Sequence, residues 1–489
     1  MSEQILLQGK ILGLESFLLA PPGGGESTGE ELPTGRAYWV TLLAEVLPRA
    51  LLAELGLAPI LLGASGGRQF LVVLPEETRP AASEFLSAAA REMERLSDGA
   101  VRLLWAATEN LGDWPVVRKR LSEALERGEG CPLHGRPSRA FQPFAPGGPA
   151  ETDGYFSREL GARIRDAATV GWSPETPGQV WPGAGKHSWR LTPNVSVDGI
   201  TIARHAAPAD DAGGAADLAT LARRASGRPV WGVLRGDVDN FSIRLRRLQG
   251  IEEHVPLSVL YKQFFAGELE VLCSLPEFWR KVTILYSGGA DFAVYGSWDA
   301  LIPLAAEMQR LFHRFSEENL KDFPGPEGKT ISMALALEPA GGAALAMVYE
   351  EAGRNLAIAK AADKDCIYVL GRVLEWKHLT ASADLKDVVA RMAREIGAPG
   401  ELLRELRGLY GKASGGPAGK PLVERVWRFH RRLNLILGAG REKEFQKLKT
   451  HLAGEMAGRR TAQVKLRPSG LVALEWARLL TEVDDGERA

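Results

Sequence analysis

Apolar residues recur along the chain in two rhythms, every second position in some stretches and every three or four in others, which are the marks of half-buried strands and one-sided helices. Residues 5–14 read as a strand, 37–55 as a helix with an apolar face, and 59–74 as two strands folded around Ser65-Gly66-Gly67. A helix over 81–96, a strand over 101–107 and a helix over 115–127 follow. From residue 229 to about 370 the same order returns: strand 230–238, helix 257–275, hairpin 282–295, helix 300–316, strand 331–337, helix 343–361 and strand 366–370. Beyond Trp376 the strand rhythm largely fades, and 385–396, 401–410, 422–437 and 442–456 carry helical spacing.

The two hairpin turns read alike, Ser65-Gly66-Gly67-Arg68-Gln69-Phe70 against Ser287-Gly288-Gly289-Ala290-Asp291-Phe292. Matching turns within matching element order imply a duplicated βαββαβ unit, the ferredoxin-like arrangement. Pro- and Gly-rich stretches at 21–33, 132–149, 174–185, 208–214 and 411–421 mark loops and joints. The expected fold is therefore α+β. It has two ferredoxin-like units at 1–130 and 226–378, an irregular and helical connector at 131–225, and a C-terminal helical bundle at 379–489.

Composition narrows the class. With 489 residues, 45% hydrophobic and 25% charged, the chain can bury several cores. The most apolar stretch, 41–64, is interrupted by Glu45, Arg49 and Glu54, so no run reaches the roughly 18 uncharged residues of a membrane span. No signal-peptide pattern opens the sequence, and Cys131, Cys273 and Cys366 are too scattered for a disulfide framework. These features predict a cytoplasmic protein. The net charge of −1 hides a basic tail, in which residues 401–489 hold 18 lysines and arginines against 11 acids, a local +7 that suits an anionic partner.

Candidate chemistry gathers in the second repeat. Its first strand, Trp231 onward, ends in Asp237-Val238-Asp239-Asn240, and alternation places Asp237 and Asp239 on one side while the chain stays extended. Such oxygen ligands suit Mg²⁺. The competing reading is a polar turn with Asp239 capping the next segment. The Gly288-Gly289 turn permits close approach of a phosphate and would return Asp291 toward that strand end. Arg244, Arg246 and Arg247, with Arg428, Arg431 and Arg432 in the tail, are candidates to face RNA phosphates, or simply solvated faces.

These residues together resemble a known family. Gly232 through Asn240, the pair Phe264-Phe265, Tyr286-Ser287-Gly288-Gly289-Ala290-Asp291, and Ala359-Lys360 with Lys364 look like the polymerase/cyclase palm of the large signature subunit of type III CRISPR effector complexes. The first half is similar to that family's non-catalytic palm through 65–70, Leu74-Pro75 and Thr108-Glu109-Asn110. The resemblance implies an RNA-guided antiviral subunit that organises the 5′ end of the guide RNA and senses target RNA. Its implied partners are guide and target RNA and the repeat-associated backbone, guide-tag-capping and small subunits. It also implies ATP with Mg²⁺ or Mn²⁺ as the reactants of cyclic oligoadenylate synthesis.

Carried onto this sequence, Asp237 would be a metal ligand, joined by Asp239 from the reading of the strand end, and Asp237 and Asp291 would be the catalytic carboxylates. Gly288, Gly289, Lys360 and Lys364 would be nucleotide contacts, the two lysines being equally readable as a solvated helix end. Three departures stand out. The third turn position, which supplies a carboxylate in related cyclases, is Ala290, and Asp291 would point to the opposite face. None of the eight histidines is followed by Asp, so the His-Asp pair of an HD nuclease is missing, which favours a type III-D-like variant. Cys131 and His134 look like a remnant of the family's zinc element, too few ligands for a closed site, so zinc is not expected. The expectation is a degenerate palm with weak or absent synthesis; the alternative is an active synthase switched on by target RNA.

Overall fold

The computed structural model describes residues 4–20, 31–128, 150–194, 198–210, 214–339, 342–396, 399–410, 423–437, 443–460 and 463–482. Cys131, His134 and the loops at 21–30 and 411–422 lie outside the described residues. The chain forms two compact units. The first comprises Met1–Leu218, Asn240–Val294 and Phe315–Gly328, the second Ala219–Asp239, Tyr295–Arg314 and Lys329–Ala489.

In the first unit a four-stranded sheet runs in the order Leu62–Gly66, Gln69–Pro75, Gln4–Leu12, Arg102–Glu109. The central strand Gln4–Leu12 is antiparallel to both neighbours, pairing Leu6 with Val73 and with Thr108. Helices Glu31–Glu54 and Arg79–Leu96 join its strands, so the first half has the expected βαββαβ order. The helix Glu31–Glu54 is buried all round rather than on one face, from Leu32 to Leu52 on every side. Its Trp39 meets Phe17 and Phe156 in an aromatic cluster with ring centroids 5.1 to 5.4 Å apart. The wide burial explains how Arg36, Glu45 and Arg49 come to lie inside, each of them paired.

The stretch expected to be an irregular and helical connector also holds a small sheet, in the order Trp181–Pro182, Thr169–Trp172, His187–Leu191, Gly199–Ile200. Strands of two to five residues separated by prolines are too short to display a period.

The second unit is built on Trp231–Val238, Ile331–Leu337, Cys366–Val369 and Arg372–Glu375, in that order across the sheet. Ile331–Leu337 is antiparallel to the first, setting Ser332 opposite Asp237, and parallel to Cys366–Val369. Helix Leu345–Ala362 packs on these strands through Val348, Tyr349, Ala352 and Ala359. After Trp376 come helices Trp376–Ile396, Pro399–Gly408, Val426–Leu437, Lys443–Met456 and Pro468–Thr481, sharing a core of Leu385, Val389, Leu406, Phe429, Leu433, Leu452 and Leu474. The fading of strand signal there is corrected by a three-stranded sheet, Val423–Arg425, Gln463–Leu466, Ala457–Arg460, and the last helix adds an element the spacing did not flag. Among the described residues no helix is long and apolar enough to cross a membrane.

Candidate functional site

Asp237 sits near the end of the strand Trp231–Val238, about a third exposed, and its carboxylate takes an ion pair from Lys360 on the last turn of helix Leu345–Ala362. Lys360, read from sequence as a phosphate contact or a solvated helix end, is thus a half-buried partner of the first carboxylate. Lys364 follows in the left-handed turn that leads into the next strand, where its φ is 60° and that of Asp365 45°.

Asp239 is in a different situation, because the extended strand has ended at Val238 and its side chain is 1% exposed. Thr330 Oγ1 donates to it at 2.9 Å, Ser332 Oγ at 2.8 Å and the Asp365 backbone N–H at 2.9 Å. Three donors around one buried carboxylate make Asp239 a strut joining the strand end to the turns at Thr330 and Asp365. The same charge, after burial itself, helps hold the Asp365 carboxyl above its ordinary range and raise the Cys366 thiol to about 11.

The strands Val282–Gly288 and Asp291–Ser297 flank the turn residues Gly289 and Ala290, which belong to the first unit. Gly289 has a φ of 68°, and a Cβ placed on Gly67 of the other hairpin would lie 2.6 Å from Gly289 Cα. The two turns therefore touch backbone to backbone, which only glycine permits. Beside this contact Arg68 Nη2 donates to Asp291 Oδ2 at 3.1 Å, and the Tyr286 hydroxyl donates to the same oxygen at 2.9 Å. Ala290 is nearly buried, at 9% exposure.

The basic candidates divide. Arg244 is 1% exposed and donates to three carbonyls, Glu327 from Nε at 2.7 Å, Pro324 from Nη1 at 2.8 Å and Gly325 from Nη2 at 2.9 Å. It clamps a loop and offers no charge to RNA, which corrects the reading from sequence. Arg247 is half exposed and paired with Glu327 at 2.8 Å, whereas Arg246 is exposed. On the helix Val426–Leu437, Arg428 and Arg431 are exposed and Arg432 donates to the Gly408 carbonyl at 2.8 Å.

Sequence reasoning missed two clusters. One is a buried charge network: Glu45 Oε2 accepts from Lys262 Nζ at 2.6 Å, Arg49 Nη1 at 2.8 Å and Ser65 Oγ at 2.8 Å. Burial alone would raise the Glu45 carboxyl, but Lys262 and Arg49 overbalance it and hold it low. The other is a cavity of about 110 Å³ lined by Trp114, Arg118, Phe241, His254, Tyr261 and Lys262 among others, beside Gly66 and Gly289. Trp114 Nε1, Arg118 Nη1 and His254 Nδ1 are buried and find no hydrogen-bond partner among the described residues. Leaving such groups unpaired costs on the order of 1–3 kcal/mol each, so they ask for a ligand or ordered water. The only sequence signal for it was the doubled Ser-Gly-Gly turn, which marks one rim.

Among the described residues no three His, Cys, Asp or Glu side chains cluster as a metal site requires. Two-ion catalysis needs several carboxylates converging on the ions. Here Asp239 is committed to three donors, Asp291 to Arg68 and Tyr286, and the third turn position is Ala290, so the set does not fit a two-ion site.

Comparison with known proteins places this geometry. The family described as Cas10/Cmr2, second palm domain, matches residues 230–368. The CRISPR system single-strand-specific deoxyribonuclease Cas10/Csm1 (subtype III-A) of Enterococcus italicus is 31% identical over 108 residues, covering 21% of this chain and 14% of that protein. Its counterpart from Mycobacterium tuberculosis is 30% identical over 117 residues, covering 20% and 14%. In both cases the matched stretch is a small part of a longer relative. Among solved structures, the Csm1–Csm4 cassette in complex with one ATP aligns with a TM-score of 0.68 at 16% identity, over 98% of this chain and 70% of that one. The cassette in complex with cA4 aligns at 0.67 and 15% identity over the same shares. At such identities the likeness is one of fold, and it agrees with the mixed α+β palm architecture. Residues 230–368 thus match the second palm domain of the Cas10/Cmr2 family, and the chain as a whole is similar in fold to the Csm1–Csm4 cassette structures.

Proposed function

We propose that this chain is the large subunit of an RNA-guided effector complex that binds a nucleoside triphosphate on its palm framework and makes little or no cyclic oligonucleotide. One observation carries the reading: the carboxylates that would hold metal ions are engaged elsewhere, Asp239 by Thr330, Ser332 and the Asp365 N–H, and Asp291 by Arg68 and Tyr286. The remaining carboxylate of the set, Asp237, is the partner of Lys360. A lone carboxylate can position a single Mg²⁺ or Mn²⁺ on a triphosphate but does not neutralise the charge of an in-line attack.

The nucleotide part of the reading is supported by relatives of the same fold crystallised with ATP and with AMPPNP. Assembly with a Csm4-type subunit is supported by a solved Csm1–Csm4 subcomplex of similar fold. Guide and target RNA are the implied partners of the whole assembly. The exposed Arg246, Arg428 and Arg431 are the basic residues best placed to face them.

The test is incubation of the assembled complex with target RNA, Mg²⁺ or Mn²⁺, and ATP or GTP, followed by chromatography. Product at the level of the reaction lacking target is expected. Abundant target-dependent cyclic product overturns the impaired-site reading and favours an active synthase.

A further inference from the structure

A second cavity, of about 490 Å³, lies wholly within the second unit and is lined by residues of its sheet and of the helices Pro399–Gly408 and Pro468–Thr481. That size suits a small organic ligand. The cavity is at the far end of the sheet from Asp237. Leu337, in its lining, stands opposite Gly232, whereas Ser332 stands opposite Asp237. The strand from residue 232 to residue 237 spans about 16 Å at roughly 3.3 Å per residue, so this is a separate place.

Its charge is unbalanced. Arg228, Arg372, Arg407 and Arg478 line it against Glu338 and Glu475, an excess of two positive charges. Glu475 serves two of the arginines, Arg407 at 2.6 Å and Arg478 at 3.0 Å. Glu482 pairs with Arg478 at 2.7 Å and is 3.7 Å from Arg228. Arg372 is half-buried and has no carboxylate partner among the described residues; its Nη1 donates to the Gly371 carbonyl at 2.9 Å. A guanidinium fork in that situation suits a bidentate oxyanion.

The backbone holds these groups in place. Arg372 follows the two-residue turn Leu370–Gly371, across which Val369 pairs with Arg372. Both turn residues have positive φ, 47° and 81°. Such a turn favours Asn-Gly or Gly-Gly, and a leucine in it is strained. Here the strained leucine contributes an apolar lining residue, beside Val230, Leu337 and Leu479. Across the cavity lining, the Arg228 N–H donates to the Leu479 carbonyl at 2.8 Å, and a Cβ placed on Gly227 would lie 2.3 Å from that oxygen. The loop bearing Arg228 is thus pressed against the last helix, and the cationic set is preorganised.

We propose that this cavity binds a small organic dianion, a phosphate monoester or a dicarboxylate on an apolar body, with Arg372 and Arg228 taking the oxyanion. The apolar side chains take the body. The proposal is independent of the nucleotide reading above.

Calorimetric titration of the full chain with phenyl phosphate, phthalate, inorganic phosphate and benzyl alcohol tests it. Phenyl phosphate or phthalate is expected to bind at least about tenfold tighter than inorganic phosphate, which lacks the body, and than benzyl alcohol, which lacks the charge. The tighter of the two tells a phosphate site from a dicarboxylate site. Arg372→Gln should weaken that binding about tenfold or more, with an unchanged thermal melt confirming a folded chain. Arg354→Gln, on the exposed face of the helix Leu345–Ala362, should leave it within about twofold. The proposal is overturned if neither organic dianion exceeds inorganic phosphate and benzyl alcohol. It is equally overturned if the binding survives Arg372→Gln or falls as far with Arg354→Gln.

Discussion

Arg68, in the turn of the first hairpin, reaches Asp291, at the start of the strand that leaves the second turn, with 3.1 Å between Nη2 and Oδ2. In the repeat alignment Arg68 stands where the second hairpin has Ala290, and its φ of 68° places it in the left-handed region. The duplicated turns are thus in direct contact, and the basic residue of one neutralises the acidic residue of the other.

That contact sets the first prediction. Both side chains are about a quarter to a third exposed, so Arg68→Ala is expected to lower stability by no more than about 1 kcal/mol in denaturant titration. Ala290→Asp introduces a carboxylate at a nearly buried position of the turn and is expected to raise cyclic product in the assembled complex. If instead Asp291→Ala abolishes synthesis that the unmodified complex already performs, and Ala290→Asp leaves it unchanged, Asp291 is itself the ligand.

The two aspartates of the strand end are expected to separate by readout. Asp239→Ala strands three donors around a buried vacancy, and a loss of about 2–4 kcal/mol is predicted from urea unfolding. Asp237→Ala removes a partly exposed ion pair with Lys360 and should move the midpoint by less than the equivalent of about 1 kcal/mol. Equal losses in the two variants would contradict the division into strut and site residue.

Arg244 offers a sharper structural test. Its planar fork matches three carbonyls of residues 324–327, a pattern that the single ammonium of lysine does not reproduce. Arg244→Lys is expected to cost about 1–3 kcal/mol and Arg244→Ala more. Once corrected for folded fraction, RNA affinity of the assembled complex should be unchanged by either, whereas Arg246→Ala or Arg428→Ala should lessen its salt dependence.

Acid should weaken the first unit through Glu45. Its native carboxyl lies below the ordinary value of 4.5, held there against burial by Lys262 and Arg49. The contribution is therefore full above about pH 4.5 and is lost as pH falls through the native value. Glu45→Gln, which leaves Lys262 and Arg49 buried side by side, is expected to cost about 3–5 kcal/mol at pH 7. The variant should also flatten the acid limb of a stability-against-pH curve. An unchanged acid limb would assign the loss to other carboxylates.

The sequence by itself indicated the principal strands and helices of both repeats, most of which are long enough to show their period, but not the helix Phe241–Arg247 or the strand Arg372–Glu375. It also determined the likeness of the two Ser-Gly-Gly turns and the Ala290 departure, since those are statements about residue identity. Short strands escaped it, as at Thr169–Trp172 and Gln463–Leu466, where four residues carry too little pattern. What only the tertiary structure decided is which polar group meets which. Arg244 reads as one more basic residue beside Arg246 and Arg247 until the loop at 324–327 folds over it. Asp239 reads as a twin of Asp237 until Thr330, Ser332 and Asp365, some 90 to 126 positions away, close around it. Trp114, Arg118 and His254 share no motif, and the chain brings them to one cavity from positions up to 140 residues apart. Periodicity records the burial of a face, which is a local property. The pairing of charges and donors depends on contacts between distant segments, and those are written only in the folded chain.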